Sequence, residues 1–250
     1  NNDHILLQAK DGKLLKLKYK AKGAFLEGRD SKVFRGILQV GDQEIFDVAV
    51  KIYKDDENSF KGAKKEIELA ELTRIGCPEH FLRLFYSGPL AQENEFACIW
   101  EWIEGPSLDR FLLQNSEIVD EDFLIKSLAK AISFLHSNHK VHHDLKPQNI
   151  LISKDAKRVV LIDFGDSMVV DEGSLCPLDL GIGLGTLAYT GPELLSRKVD
   201  FYDPFAADIY SFGVVLFVIL NRKSKILPFA ALIPHRAVQL ILTVQKGFFA

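Results

Sequence analysis

The sequence predicts an α+β fold that is mainly β in its first part and mainly helical in its second. Strand patterns occupy residues 4–22 around the turn dipeptide Asp11-Gly12 and recur in FDVAVKIYK, where apolar and polar side chains alternate. Phe81–Tyr86 and Phe96–Trp102 are predicted as the last two strands of a small five-stranded lobe. A helical repeat of apolar residues then runs from about Glu121 to Ser137.

The composition is that of an ordinary globular protein of 250 residues, with 47% hydrophobic and 26% charged residues. A net charge of -3 argues against an electrostatic grip on nucleic acid or on an anionic membrane. No apolar run approaches the roughly 18 residues that a membrane-spanning helix needs, and the first residues lack a signal-peptide pattern. Cys77, Cys98 and Cys176 are odd in number and far apart, so we expect a reducing, cytoplasmic setting.

The most informative stretch is VHHDLKPQNILISKDAKRVVLIDFG, in which two acidic clusters flank a predicted β-hairpin. Its apolar runs, residues 150–152 and 159–162, are separated by a polar turn. Folding the hairpin brings Asp163 close to Asn149, and Asp144 lies a few residues before them. Asn149 and Asp163 are therefore candidate oxygen ligands for Mg²⁺, and Asp144 is a candidate base for a substrate hydroxyl.

The run HHDLKPQN followed by DFG resembles the catalytic loop and metal-binding motif of eukaryotic-like serine/threonine protein kinases. The family pattern H-R-D-L-x-x-x-N is matched at every fixed position except His143, where the family usually has arginine. The resemblance covers roughly residues 15–229. It implies a single two-lobed catalytic domain, with an N-lobe and hinge over about 1–103 and a short or truncated C-lobe over about 104–250.

The resemblance also implies roles for individual residues in phosphoryl transfer. Asp144 would accept the proton of a protein Ser/Thr hydroxyl, Lys146 would neutralise charge on the transferred phosphoryl, and Thr186 in GTLAYTGPE would fix their geometry. Lys51 in VAVK would contact the α and β phosphates of ATP. Glu66, which follows Lys51 by about 15 residues in the helical pattern SFKGAKKEIELAELTRI, is the predicted acidic partner of Lys51, with Glu68 and Glu71 as the alternatives.

The segment FLEGRDSKVFRG stands where the resemblance requires a glycine-rich loop over the ATP phosphates. Only Gly28 is kept, since Leu26 and Ser31 occupy the other two glycine positions. A side chain limits how closely a backbone can approach phosphate, so this departure predicts looser nucleotide binding. Val33, which follows the loop, is a further candidate contact to the nucleotide.

The remaining nucleotide contacts are expected on the strands and hinge that follow. Ala49 and Val50 would form a floor beneath the adenine ring, and backbone groups of Glu101–Ile103 would pair with its edge. Trp100 stands at the residue that guards the pocket behind the adenine, so we expect that pocket to be closed.

His143 carries a prediction about regulation. In most of the family, arginine at this position pairs with a phosphorylated residue after DFG. Here the segment after Gly165, which contains Ser167 and Ser174, is of mixed polarity and is predicted to be an exposed loop. Neutral imidazole offers no bidentate cationic fork, so we expect activity to be independent of phosphorylation at Ser167, Ser174 or Thr190. In ADIYSFG, Asp208 is expected to bind the backbone of the catalytic loop.

Two other functions are weighed against an active protein kinase. A pseudokinase acting as a nucleotide-binding or scaffold module is favoured by the eroded glycine loop and opposed by the retained catalytic residues. A small-molecule kinase of the same fold is opposed by GTLAYTGPE, which resembles a peptide-docking segment. The alternating Lys16, Lys18, Lys20 and Lys22 form either a solvated strand face or a docking strip for an acidic partner.

Overall fold

The computed structural model describes residues 5–9, 11–20, 24–28, 30–41, 44–90, 95–114, 120–171, 173–178, 187–195 and 199–222. The chain divides into two compact units, residues 1–104 and 105–250. Among the described helices, none combines the length and the apolar character that crossing a bilayer requires.

The first unit is built on an antiparallel sheet with the strand order β1-β2-β4-β5-β7-β6, in which β3 pairs with β4. The strands are β1 (Ile5–Gln8), β2 (Leu14–Tyr19), β3 (Leu26–Glu27), β4 (Ser31–Val40), β5 (Glu44–Tyr53), β6 (Leu84–Leu90) and β7 (Glu95–Glu101). The sheet has seven strands instead of the five expected, because β1 extends its edge and β3 forms a separate short strand.

The two faces of this sheet hold different kinds of residue. One face forms an apolar core that includes Leu17, Leu38, Val48, Val50 and Ile99. Val50 is fully buried there, so the expectation that it forms a site floor beside Ala49 is wrong. Neighbouring residues of a strand point to opposite faces, and only alternate residues can share one.

The opposite face is covered in part by helix α1 (Glu57–Gly76), which begins at the N-cap Asp56. Ala63 and Ala70 of the helix pack with Tyr53, Cys98 and Trp100 of the sheet. Small residues on α1 let the helix approach the strands closely, which brings its polar side chains within reach of β5.

The second unit contains helices α2 (Leu108–Gln114), α3 (Glu121–Ser137), α4 (Pro192–Leu195) and α5 (Pro204–Leu220). The short strands within its described residues form three antiparallel pairs, namely β8 (Lys140–Val141) with β11 (Met168–Val169), β9 (Ile150–Ile152) with β10 (Val159–Leu161), and β12 (Cys176–Pro177) with β13 (Phe201–Tyr202). Helix α3 has the predicted bounds, and the Asp120 carboxylate accepts from the Phe123 N–H at its start. The expectation of a short C-lobe concerns residues after Arg222, which lie outside the described residues.

Candidate active site

The loop that carries Asp144 is fixed through its backbone by Asp208 of helix α5. The Asp208 side chain is only 1% exposed and accepts the N–H groups of His142 at 2.7 Å and His143 at 2.8 Å. These bonds confirm the predicted contact between Asp208 and the loop. His143 has a φ of +66°, in the left-handed region that a residue with a Cβ rarely adopts. The two hydrogen bonds to Asp208 hold the loop backbone at this residue and at the one before it.

His142 links the same loop to the end of the hairpin, a role that was not predicted from the sequence. Its ring is fully buried, and Nδ1 accepts the Asp144 N–H at 3.3 Å. Because Nδ1 accepts, the proton lies on Nε2, which donates to the Ile162 carbonyl at 3.1 Å. The ring also packs against Phe164 at a centroid distance of 4.7 Å. The histidine at the first fixed position of the motif was the available signal for this role.

Asp144 lies at the centre of a cluster of polar side chains. The Lys146 ammonium is 2.6 Å from its Oδ2, and the Asn149 amide donates to the same oxygen at 2.8 Å. Asn149 also donates to the Asp144 backbone carbonyl at 2.9 Å. The side chains of Asp144 and Lys146 are 12% and 20% exposed, so the carboxylate keeps limited access to solvent. Asp144, Lys146 and Asn149 are thus brought together as expected.

Asp163 directly follows the residue that bonds to Asn149, because the Ile162 N–H donates to the Asn149 carbonyl at 3.0 Å. Its side chain is exposed, and its backbone is left-handed with a φ of +65°. The Asn149 amide nitrogen is directed to Asp144, which leaves Oδ1 as the ligand atom on that side chain. An amide oxygen and a carboxylate are donors suited to Mg²⁺, so these two residues fit such an ion.

Lys51 and Glu66 meet within the first unit. Lys51 Nζ lies 2.5 Å from Glu66 Oε1, and the two side chains are 14% and 6% exposed. Glu66 follows Ala63 by three residues and precedes Ala70 by four, so all three lie on the face of α1 that packs on the sheet. The neighbouring acidic residues Glu68 and Glu71 are exposed on the other side.

Strand register places Leu26, Val33 and Ala49 on the same face of the sheet as Lys51. Val33 pairs with both Lys51 and Leu26, and Ala49 pairs with Trp100. Leu26 is 60% exposed at the loop, whereas Ser31 is buried as the first residue of β4.

Gly28 has no conformational reason to be glycine in this structure. Its backbone lies outside the left-handed region, and an added Cβ would come no closer than 3.5 Å to another atom, the Ser31 carbonyl oxygen. Contacts among the described residues therefore do not exclude a side chain at this position.

The first two residues of the predicted hinge are hydrogen-bonded to the sheet through their backbone N–H groups. The Glu101 N–H donates to Arg83 and the Trp102 N–H donates to Asp47, which ties both residues to the sheet. Ile103, the third predicted hinge residue, forms no backbone–backbone hydrogen bond within the described part of the chain. Trp100 is 9% exposed and packs in the cluster beside α1.

Several predicted residues lie outside the described part of the chain or in surroundings that differ from the expected ones. Thr186 and Lys22 lie outside the described residues. Ser167, expected in an exposed loop, is buried, and its N–H donates to the Phe164 carbonyl. Lys18 on β2 and Lys20 just after it are exposed, which is ordinary for lysine and gives no support to an acidic partner.

Both the fold and these clusters define a protein kinase domain, and comparison with known proteins agrees. The family model "Protein kinase domain" matches residues 19–239, so the chain belongs to this family. Its Ser/Thr-kinase relatives include a probable LIM domain-containing serine/threonine-protein kinase of Dictyostelium discoideum, 30% identical over 78% of this chain and 29% of the relative.

Two further relatives come from a plant and a yeast. The CBL-interacting serine/threonine-protein kinase 15 of Arabidopsis thaliana is 32% identical over 84% of this chain and 48% of its own length. The serine/threonine-protein kinase cds1 of Schizosaccharomyces pombe is 34% identical over 60% of this chain and 32% of its own. The chain thus spans less than half the length of these relatives.

Proposed function

We propose that the chain is an active serine/threonine protein kinase that transfers the γ-phosphoryl group of ATP to a protein hydroxyl. The observation that carries this proposal is the cluster at Asp144, where a lysine and an amide converge on one carboxylate oxygen. The second Asp144 oxygen is then the one to orient the acceptor hydroxyl and to take up its proton. Lys146, within 2.6 Å of that carboxylate, would stabilise charge on the transferred phosphoryl.

In the first unit, Lys51 would position the α and β phosphates of ATP. Glu66 keeps the Lys51 ammonium in place through a contact that is largely shielded from water. The Ile103 backbone would pair with the adenine edge, and Val33 and Ala49 would contact its faces. Gly28 would allow the loop backbone to approach the phosphates.

Asn149 and Asp163 would hold Mg²⁺, the ion that neutralises phosphate charge when ATP is bound. The side chains of these two residues provide oxygen ligands, and the Asn149–Ile162 hydrogen bond keeps their backbones in register. Free thiols at Cys77, Cys98 and Cys176 suit the reducing, cytoplasmic setting that we propose for this activity.

A pseudokinase is the second candidate, and Leu26 is the observation in its favour. This exposed leucine stands where a glycine would let the loop close on phosphate. Transfer from radiolabelled ATP to a generic protein substrate separates the candidates, with Asp144→Asn as the inactive control. We expect label on serine and threonine. ATP binding without transfer would indicate a pseudokinase. Label only on small molecules would indicate a small-molecule kinase of the same fold.

A further inference from the structure

Tyr53 makes a contact that neither the sequence motifs nor the family match assigns. Its hydroxyl donates to Glu66 Oε2 at 2.8 Å, while Lys51 lies 2.5 Å from Glu66 Oε1. Lys51 and Tyr53 are two residues apart on β5, so their side chains emerge on the same face of the sheet. One strand therefore supplies a donor to each oxygen of the Glu66 carboxylate.

The surroundings of Tyr53 keep this hydroxyl protonated and fixed. The residue is 5% exposed, and its ring packs near Phe96 at a centroid distance of 6.2 Å. Burial and the nearby charge of Glu66 raise the pKa of Tyr53 well above its ordinary value, so the phenol remains a donor. Burial also raises the pKa of the adjacent Cys98 thiol to about 12, so no thiolate forms there at neutral pH.

A lysine and a tyrosine constrain a carboxylate differently. Lysine has a long flexible stem, and its ammonium can follow Glu66 over a range of positions. Tyrosine has only two rotatable side-chain bonds, and Tyr53 is buried in the cluster beside α1, so its hydroxyl is restricted to a narrow range of positions. Lys51 Nζ also lies 5.4 Å from the centre of the Tyr53 ring, within reach of a cation–π attraction.

We propose that Tyr53 is a positioning residue that holds Glu66, and with it helix α1, where Glu66 pairs with Lys51. The proposal rests on the proposed function only in that Lys51 acts on ATP. Tyr53 itself does not touch the nucleotide. Its effect reaches ATP through Glu66 and Lys51.

Tyr53→Phe removes the hydroxyl and keeps the packed ring, and Tyr86→Phe is the matched control. The Tyr86 hydroxyl donates to the Pro89 carbonyl at the exposed β6–β7 end of the sheet, away from Glu66. In the chain without nucleotide, we expect faster amide hydrogen exchange in α1 around Glu66 for Tyr53→Phe alone. We also expect its calorimetric Kd for ATP to rise roughly tenfold, as for loss of a buried hydrogen bond to a charged group.

A double-mutant cycle separates positioning from general stability. If Tyr53 acts through the ion pair, its effect on ATP binding disappears when Tyr53→Phe is combined with Lys51→Met. Full additivity of the two changes would overturn the proposal, as would exchange in α1 that is equal in Tyr53→Phe and Tyr86→Phe. The exchange measurement needs neither ATP binding nor transfer, so an inactive wild-type chain would reject the proposed function and leave this test intact.

Discussion

Each unit is organised around one buried carboxylate, but the two carboxylates have different partners. Glu66 is 5% exposed and contacts the side chains of Lys51 and Tyr53. Asp208 is 1% exposed and accepts two backbone N–H groups from the catalytic loop, besides lying 3.1 Å from the His136 ring. The first carboxylate ties a helix to a strand, and the second ties a helix to the backbone of a loop.

The partners of Glu66 and Asp208 differ in what they can do when the carboxylate is removed. A lysine side chain released from Glu66 can rotate towards water, whereas the peptide N–H groups of His142 and His143 cannot leave the buried loop. An unpaired buried donor is costly, so Asp208 belongs to the stability of its unit. Glu66 instead holds a lysine whose ammonium can still reach water, and we expect the fold to tolerate loss of its charge as long as an acceptor for the Tyr53 hydroxyl remains. We therefore expect substitution of Asp208 to lower mainly the stability of the fold, and substitution of Glu66 to weaken mainly the binding of ATP.

The largest effect is expected at the chemical centre of the second unit. Asp144→Asn should lower transfer by roughly a thousandfold, as for loss of a general base, with Mg-ATP affinity nearly unchanged. Asp163→Ala should lose both transfer and Mg-ATP affinity, because Asp163 would act on the metal and not on the acceptor. Calorimetric ATP binding and steady-state transfer, measured on both variants, check this. Equal losses of binding in the two would contradict the assigned roles.

Exchanging carboxylate for amide at Asp208 and at Glu66 tests the comparison directly. Asp208→Asn places an NH₂ group against a backbone donor, and we expect it to lower the free energy of unfolding by about 3 kcal/mol. Glu66→Gln should cost only about 1 kcal/mol, because Lys51 can rotate towards solvent and the Tyr53 hydroxyl can still donate to the amide oxygen of glutamine.

Urea denaturation and ATP binding should then rank the two variants in opposite order. Glu66→Gln is expected to weaken ATP binding roughly tenfold, since the Lys51 ammonium loses the charge that holds it. Similar losses of stability in the two variants would show that the distinction between side-chain and backbone partners is wrong.

A smaller effect, on the KM for ATP, is expected from substitutions in the glycine loop of the first unit. Leu26→Gly should lower the KM for ATP by about threefold, because removing an exposed side chain lets the loop backbone approach phosphate. Ser31→Gly serves as the contrast. Ser31 is buried in β4 opposite Tyr53, so glycine there weakens the strand as well. An unchanged KM in Leu26→Gly would mean that the loop does not cover the phosphates in this way.

The smallest effect is expected from removing phosphate. His143 Nε2 lies 2.8 Å from the Tyr202 hydroxyl of β13, so the ring already has a neutral partner. Ser167 is buried, while Ser174 is exposed and Thr190 half-buried. Phosphatase treatment should therefore change activity by less than about twofold. A large drop that is reversed by phosphorylation at Ser174 or Thr190 would show that another residue senses phosphate.

The sequence by itself determined the elements whose signals are local. The period of apolar residues predicted helix α3 and its buried stripe, and the turn between two apolar runs predicted the β9–β10 hairpin. The hairpin pattern also predicted that Asn149 and Asp163 would be neighbours, because a short hairpin leaves its two ends side by side. Motif spacing was enough to select Glu66 over the other acidic residues of α1.

Contacts between residues far apart in the chain were decided only by the tertiary structure. The Tyr53 hydroxyl could have faced solvent until α1 packed on the sheet and brought Glu66 to it. The pairing of His143 with Tyr202 likewise depends on where β13 lies, 59 residues further along the chain. Val50 and Ser167 were misjudged for the same reason. Whether a side chain is buried depends on which surface covers it, and the local sequence does not contain that surface.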